Sequence, residues 1–512
     1  MSDSPLTICL SGGGHRASVF SLGALMYLVD SARNRNVDSI VSVSGGSITN
    51  AFVAQECDFQ HVTAEEFDRI ASRFVRTIVE KGVLFSAWQT AAYLILIVGL
   101  GVYLLIEAVF DWPTNLPWYG LLIGIAALFS LLTARGMLLN QLLAHRFFRP
   151  HGRPSRVSGL ATTVEHVFCA TDLNSGAPFF VVTAEGGKLV SSLGSVPAGD
   201  FKLTDAVRAS AAFPIGFPPK RLSLKRFGLV WKDRIVGIEP GYVSMFQRRP
   251  EQRNRLERAL EALRAIVPHA VFLSDGGVWN NLATDWMLRR SHRPSPRAGL
   301  VVDASAPLAS APLHHLHLPG VAEMAAMARS MSILYSNTVD PRVQGLESVA
   351  AGVLRRRKPE DDPAETDAER AHGVLPVVMR ITEGRGQLLN RYRRILRAAG
   401  LSVSDDLLPG GKRLKQIDQV WSRFWEEHRR KRKPGQAGIR LMSSGVGTTL
   451  GRLDSDIAVW LMAHGYLNAM TCLHVYCDYP FGTLTGIDRF TRLLDDEPRG
   501  YSPGFKLNNE VL

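Results

Sequence analysis

The sequence predicts an α/β fold interrupted by an apolar helical hairpin, and three observations predict it. A short apolar run that ends in glycines and leads into helical spacing occurs twice in succession near the amino terminus. Two uncharged stretches of bilayer length follow. Beyond them, short apolar runs bounded by turn residues resume, one of them ending in Ser274-Asp275-Gly276-Gly277.

Leu6–Leu10 (LTICL) is stopped by Ser11-Gly12-Gly13-Gly14 and reads as a buried strand entering a glycine turn. Ala17 to Asp30 then places apolar residues at helical spacing. Ile40–Val43 is a second strand, and after Ser44-Gly45-Gly46 the stretch Ser47 to Gln55 is again helical. Two such units open an α/β sheet whose ligands gather at the strand C-termini. Gln89 to Ile106 then runs 18 residues without a charge, and Leu116 to Ala134 another 19. A bilayer-crossing helix needs about 20. Trp88, Trp112, Trp118 and Tyr119 stand near the ends, where amphipathic rings favour the headgroup layer.

Flanking charge orients this hairpin. Arg69, Arg73, Arg76 and Lys81 precede it, and Arg135, Arg146, Arg149, Arg153 and Arg156 follow. The loop Glu107–Pro117 holds Glu107 and Asp111 and no basic residue. Basic flanks stay on the cytoplasmic side, so both ends of the hairpin are expected there, and segments before and after it can share one domain. Past Pro150, Val164–Ala170, Phe179–Thr183 and Val271–Leu273 read as strands. Arg355 to Gly373 is charged and poor in large apolar residues, which predicts a mobile loop. No internal repeat is present.

Composition narrows the class. With 46% hydrophobic and 21% charged residues in 512, the chain is not disordered throughout, and 45 glycines without a triplet period exclude a collagen-like chain. The five cysteines (Cys9, Cys57, Cys169, Cys472, Cys477) are scattered and lack zinc spacing, as expected in a reducing compartment. Met1 to Pro5 has no basic start, so no secretory signal is expected. A net charge of +12 favours anionic partners, either nucleic acid or a membrane face. No nucleic-acid motif accompanies the basic clusters at Arg355–Lys358 and His428–Lys433, so nucleic acid is not an expected partner, whereas headgroup binding by those clusters stays open.

Chemistry gathers at three glycine-flanked positions. Ser42-Val43-Ser44-Gly45-Gly46 lies at a strand-to-helix turn, which lifts a serine hydroxyl clear of the backbone beside a helix N-terminus. The usual pattern is G-x-S-x-G; here Ser42 replaces the first glycine. The same residues are also compatible with an ordinary N-cap. Ser11 to Arg16 offers consecutive N–H groups, a nest for an oxyanion or a phosphate, with Arg16 adding positive charge. It lacks the lysine of a phosphate-binding loop, and Ala17 breaks a dinucleotide spacing. A hydrolytic serine needs a base; no histidine stands in a partner motif, whereas Asp275 follows a strand. A carboxylate near its ordinary pKa of about 3.9 is a poor base, so a desolvated site is required. Among rivals, Ser47 lies inside the helix and points away, Asp172 reads as structural, and His314, His315 and His317 lack acidic or cysteine partners for a metal.

In this order, the three elements resemble the patatin-like phospholipases. Gly12–Arg16 matches the family's oxyanion loop GGGxR, Ser42–Gly46 its nucleophile elbow, and Asp275-Gly276-Gly277 its D-G-[GA] aspartate. Thr171 to Gly176 and Ala206 to Pro219 are similar to two further blocks, and Thr448 to Ala469 is more loosely similar to bacterial members. The resemblance covers Leu6–Ala54 and about Val164–Thr284. It implies a patatin-like three-layer α/β/α hydrolase with a catalytic dyad of Ser44 and Asp275, an oxyanion hole from Gly12, Gly13, Gly14 and Gly45, and Arg16 supporting the loop or a phosphate. No metal or cofactor is implied. The expected substrates are acyl esters of phospholipids or lysophospholipids in a membrane. A transacylase using the same serine and a silent membrane adaptor are the alternatives. The expected division is 1–84 and 146–345 for the two parts of the catalytic domain, 85–145 for the hairpin, 346–375 for a mobile charged loop and 376–512 for completion of the core. The expected location is a membrane of bacterial inner-membrane type, crossed twice, with the catalytic domain on its cytoplasmic side.

Overall fold

A computed structural model gives the fold and describes residues 4–83, 88–110, 118–148, 155–160, 162–192, 194–214, 216–228, 270–289, 297–305, 322–356, 373–431, 443, 445–484, 486–495 and 505–507. Strand β1 (Leu6–Leu10), helix α1 (Gly14–Asp30), strand β2 (Val37–Ser42) and helix α2 (Gly45–Glu56) form the two opening units where the sequence places them. Helix α3 (Ala64–Arg76) follows, its first turn capped by the Thr63 hydroxyl accepting from the Glu66 N–H.

The hairpin is α4 (Trp88–Phe110) and α5 (Trp118–Arg146). Both are long and apolar enough to cross a membrane, and only 11% of each apolar window is buried. They are therefore not core helices. Ile95, Ile123 and Phe129 are each about two-thirds or more exposed on their outer faces, while Tyr93 Oη donates to Leu131 O (2.7 Å) between the two helices. Helix α5 continues beyond the apolar run expected to end at Ala134 and docks on α6 (Leu203–Ser210), where Asn140 Nδ2 donates to Asp205 Oδ1 (3.1 Å).

The remaining strands are β3 (Glu165–Asp172), β4 (Ala177–Val182), β5 (Lys188–Ser191), β6 (Gly194–Pro197), β7 (Lys220–Ser223), β8 (Ala270–Asp275), β9 (Arg297–Asp303) and β10 (Val374–Arg380). The ten form one mixed sheet, running β10-β9-β1-β2-β3-β4-β5-β6. From β10 to β3 the pairs are parallel, and their strands are almost wholly buried apolar runs, as a sheet covered on both faces requires. Strand β3 is shared along its length. Its first half pairs with β2 (Ser42↔Phe168), and its second half pairs on the same edge with antiparallel β8 (Ala170↔Asp275), while β4 takes the other edge. Two strands thus occupy one lane, and their carboxyl ends meet in its middle.

Helices α7 (Ala322–Arg356), α8 (Arg385–Ala398), α9 (Lys412–Lys431) and α10 (Ser455–Cys477) complete the layers. The charged loop expected over 346–375 is corrected at both ends. Helix α7 buries Val343, Leu346, Ala350 and Val353, at steps of three and four residues, and runs through Arg356, and β10 starts at Val374. Residues 357–372 lie outside the described residues. So do His314, His315, His317, Trp112, Arg149 and Arg153, and the basic cluster after Lys431.

Helix α1 is buried on every side, and α10 lies directly against it. Their backbones touch through reciprocal glycines. A Cβ at Gly23 would run into the Met462 carbonyl, and one at Gly465 into the Phe20 carbonyl. Gly465→Ala raises helix propensity by about 1 kcal/mol, but a backbone carbonyl inside two packed helices cannot give way. The expected net effect is a loss of about 1–3 kcal/mol, read as a lower thermal midpoint of the full chain in detergent.

Candidate active site

Where β2 ends, the chain turns sharply into α2 through Ser44, at φ 50° and ψ −117°. A side chain in that region is strained and persists only when its surroundings hold it. The restraint is visible: Ser44 N donates to both the carbonyl and the hydroxyl oxygen of Ser210 (3.1 Å each). Glycines make the turn possible. A Cβ at Gly45 would strike the Gly14 carbonyl, and one at Gly46 would fall 2.6 Å from Leu10 O. Ser42, standing where the usual pattern has glycine, is fully buried; its Oγ donates to Val167 O (3.1 Å) and accepts from Asn50 Nδ2 (2.8 Å). The hydroxyl is satisfied inside the sheet, and the elbow forms around it.

At the facing end of the lane, Asp275 N donates to Ala212 O (3.0 Å) and Gly276 N to Ser210 O (3.2 Å). One short segment, Ser210–Ala212, therefore clamps both strand ends. Ser210 Oγ also donates to Cys169 O (2.6 Å), the residue of β3 between the two partners. The Asp275 carboxylate accepts from Gly277 N (2.7 Å), and the Ser44 hydroxyl beside it favours the charged form. Asp275 is 1% exposed, and burial pushes its pKa up from 3.8 to about 7 against the pull of those two donors. Ser44 itself is half-buried amid buried neighbours.

The glycine loop lies alongside. Gly13 has φ 143° and Gly14 φ 62°, backbone that favours glycine. Among the described residues, the N–H groups of Gly13, Gly14 and Gly45 make no hydrogen bond; in the first turn of α2 those of Gly46 and Ser47 are already engaged by backbone carbonyls, which leaves that of Gly45 for an anion. Gly12 corrects the expectation that it shares in this cradle: its N–H donates to Asn281 O (3.1 Å). What Gly12 supplies is space, since a Cβ there would meet the Asn281 amide oxygen and, at 3.2 Å, the Ser44 Cβ. Arg16 is 1% exposed, with Nε donating to Ala304 O (3.0 Å) and Nη1 to Val446 O. It supports the loop rather than facing a substrate phosphate. His15 N donates to Thr449 O (2.9 Å), and burial lowers the His15 pKa to about 4, so its ring is neutral at pH 7.

Ser44, Asp275, Gly13, Gly14 and Gly45 thus come together as expected. Ser47 does not join them; its hydroxyl is fully buried on Ser42 (3.0 Å) and Ser210 (2.8 Å). Asp172 holds a turn, accepting from Asn174 N (2.9 Å) and Ser175 Oγ (2.7 Å). Sequence reasoning missed three participants. Ser210 and Thr449 sit in blocks noted only for similarity, and Asn281 follows the Asp-Gly-Gly turn with no signal of its own. Among the described residues, no three His, Cys, Asp or Glu side chains group as metal ligands.

A raised carboxyl has a cost for folding that depends on pH. Between about pH 4 and pH 7 the folded chain keeps a proton on Asp275 that the unfolded chain releases, so this group's contribution falls as pH rises and is lost above 7. Asp275→Asn keeps the acceptor for Gly277 and removes the charge. Its thermal midpoint is expected above that of the natural chain at pH 8, with the gap closing as pH falls through 7 and gone near pH 4.

One family model, described as patatin-like phospholipase, matches residues 8–285. Among solved structures, the chain is similar to human GIVD cytosolic phospholipase A2, at 13% identity and a TM-score of 0.41 over 96% of this chain and 61% of that one. The same protein in complex with methyl gamma-linolenyl fluorophosphonate inhibitor and terbium chloride gives 12%, 0.38, 96% and 60%. VipD from Legionella pneumophila gives 9% and a TM-score of 0.24, over 98% of this chain and 94% of that one. The chain spans about three fifths of the length of the first two. No curated protein matches it.

Proposed function

This chain belongs to the patatin-like phospholipase family, and we propose that it is a lipid acyl hydrolase whose catalytic dyad is Ser44 and Asp275, working at a membrane surface on phospholipids or lysophospholipids. The observation that carries this reading is the meeting of the two strand ends that bear Ser44 and Asp275, with Ser44 at a strained turn beside N–H groups without partners among the described residues.

With a pKa near 7, Asp275 is deprotonated in a useful fraction of molecules at neutral pH and still basic enough to take a proton. It accepts the Ser44 proton as Oγ attacks the ester carbonyl. The carbonyl oxygen, now negative, settles on the N–H groups of Gly13, Gly14 and Gly45, which are fixed in place before the reaction begins. As the carbon–oxygen ester bond breaks, Asp275 returns the proton to the departing alkoxide, and the acyl group remains on Ser44. Water then attacks the acyl-enzyme, giving its proton to Asp275; collapse frees the fatty acid and restores the Ser44 hydroxyl.

The hairpin places this site. We read α4 and α5 as spanning the membrane, with the catalytic domain on the side of the basic flanks. Helix α5 runs without a break from the apolar span into the contact with α6, so substrate reaches the site from the bilayer rather than from dilute solution.

Ser44→Ala is expected to fold normally and to lose hydrolysis by about a thousandfold or more. Lipid product profiling of the reconstituted chain in liposomes checks it, with labelling by a fluorophosphonate lost in parallel. Undiminished release of fatty acid by the variant would move the nucleophile elsewhere.

A further inference from the structure

Arg208 lies on α6 at the foot of the hairpin, 9% exposed, and none of its guanidinium nitrogens makes a hydrogen bond or ion pair among the described residues. Its Nε is fully enclosed without a partner. The nearest carboxylate, Asp205, is already engaged by the Lys220 ammonium and the Asn140 amide. Burial lowers the Arg208 pKa from the ordinary arginine value, opposed by Asp205. A buried cation without a counter-charge is costly, and a guanidinium fork matches the oxygens of a phosphate.

Where this cation stands identifies its counter-ion. The guanidinium lies against Gly136 of α5, so close that a Cβ there would strike it, and against Pro218. Gly136 is the second residue past the uncharged run, and its neighbours Leu132 and Met137 are 36% and 64% exposed with apolar side chains. Exposed apolar side chains thus flank this level of α5, where Arg135 is the first charged residue of the helix, its Nε also enclosed without a partner. In a bilayer this is the boundary between acyl chains and phosphates.

We propose that Arg208, in the seam between α5 and α6, binds the phosphate of an anionic membrane phospholipid at a site separate from the ester-cleaving one. The placement at headgroup depth rests on the membrane-spanning reading of the hairpin. Because α6 ends in the segment that clamps Ser44, Asp275 and Gly276, an occupied site steadies the helix that holds the dyad.

The test uses the full chain in uncharged detergent, titrated separately with dihexanoyl phosphatidylglycerol, dihexanoyl phosphatidylcholine and inorganic phosphate while the thermal midpoint is read. The natural chain should gain at least about 2 °C, saturably, with the anionic lipid and less with the zwitterionic one. Arg208→Gln should lose the excess gain of the anionic lipid over the zwitterionic one, which the ester-cleaving site does not supply, and Arg208→Lys, which keeps the charge but not the fork, should keep a reduced excess. Without lipid, Arg208→Gln should melt no lower than the natural chain, since it removes an uncompensated charge; a merely structural arginine would give the opposite. An equal excess in Arg208→Gln, or none in the natural chain, overturns the site. A gain produced in full by inorganic phosphate overturns its assignment to lipid. Should Arg208→Gln not fold, an undiminished excess in Arg208→Lys overturns the guanidinium's role. Alkaline carbonate extraction of membranes, run in parallel, tests the hairpin separately: release of the chain would end the spanning reading while the detergent result stands.

Discussion

Everything at this site depends on two strand ends meeting in one lane. Strand β3 offers a single edge to two partners, a parallel one arriving from below and an antiparallel one from above, and their last residues stop on either side of Cys169. Each partner's carboxyl end carries, or leads directly into, one member of the proposed dyad. Because backbone ladders fix both strands to β3, the separation of serine and carboxylate is set by sheet geometry and not by flexible loops. The clamp at Ser210–Ala212 then ties the two ends to each other, which is what allows a strained backbone at Ser44 to persist.

The same clamp explains why α6 matters beyond its eight residues. One end of it supplies the carbonyls and hydroxyl that hold the elbow and the aspartate turn; one face of it receives α5. The insertion between α3 and β3 is thus in mechanical continuity with the reacting groups. The extension of α5 beyond its apolar run is part of the packing under the site.

Much of this was legible in the residues, and what was not has physical reasons. Leu6–Leu10 and Ile40–Val43 announced themselves because buried parallel strands are short apolar runs stopped by glycine, and Ser44 and Asp275 because each follows such a strand. The hairpin was legible because composition and length alone define it. The role of Gly12 was misread: a glycine in a nest looks like a donor, whereas this one is there to let Asn281 and Ser44 approach. Ser210, Asn281 and Thr449 carry no local pattern, since their parts in the site come from long-range contacts that only the folded sheet creates. Residues 346–356 were misjudged because the charge of the following stretch masked a helix whose apolar face packs on the sheet.

The contact between His15 and the segment Thr449–Gly451 sets an order on synthesis. His15 N and Nδ1 are held by carbonyls more than four hundred positions away, and Gly14 rests on the same segment. A nascent chain has long since exposed its hairpin when that segment leaves the ribosome. A half-made molecule therefore carries the proposed dyad but an unbraced glycine loop, so the complete site matures last.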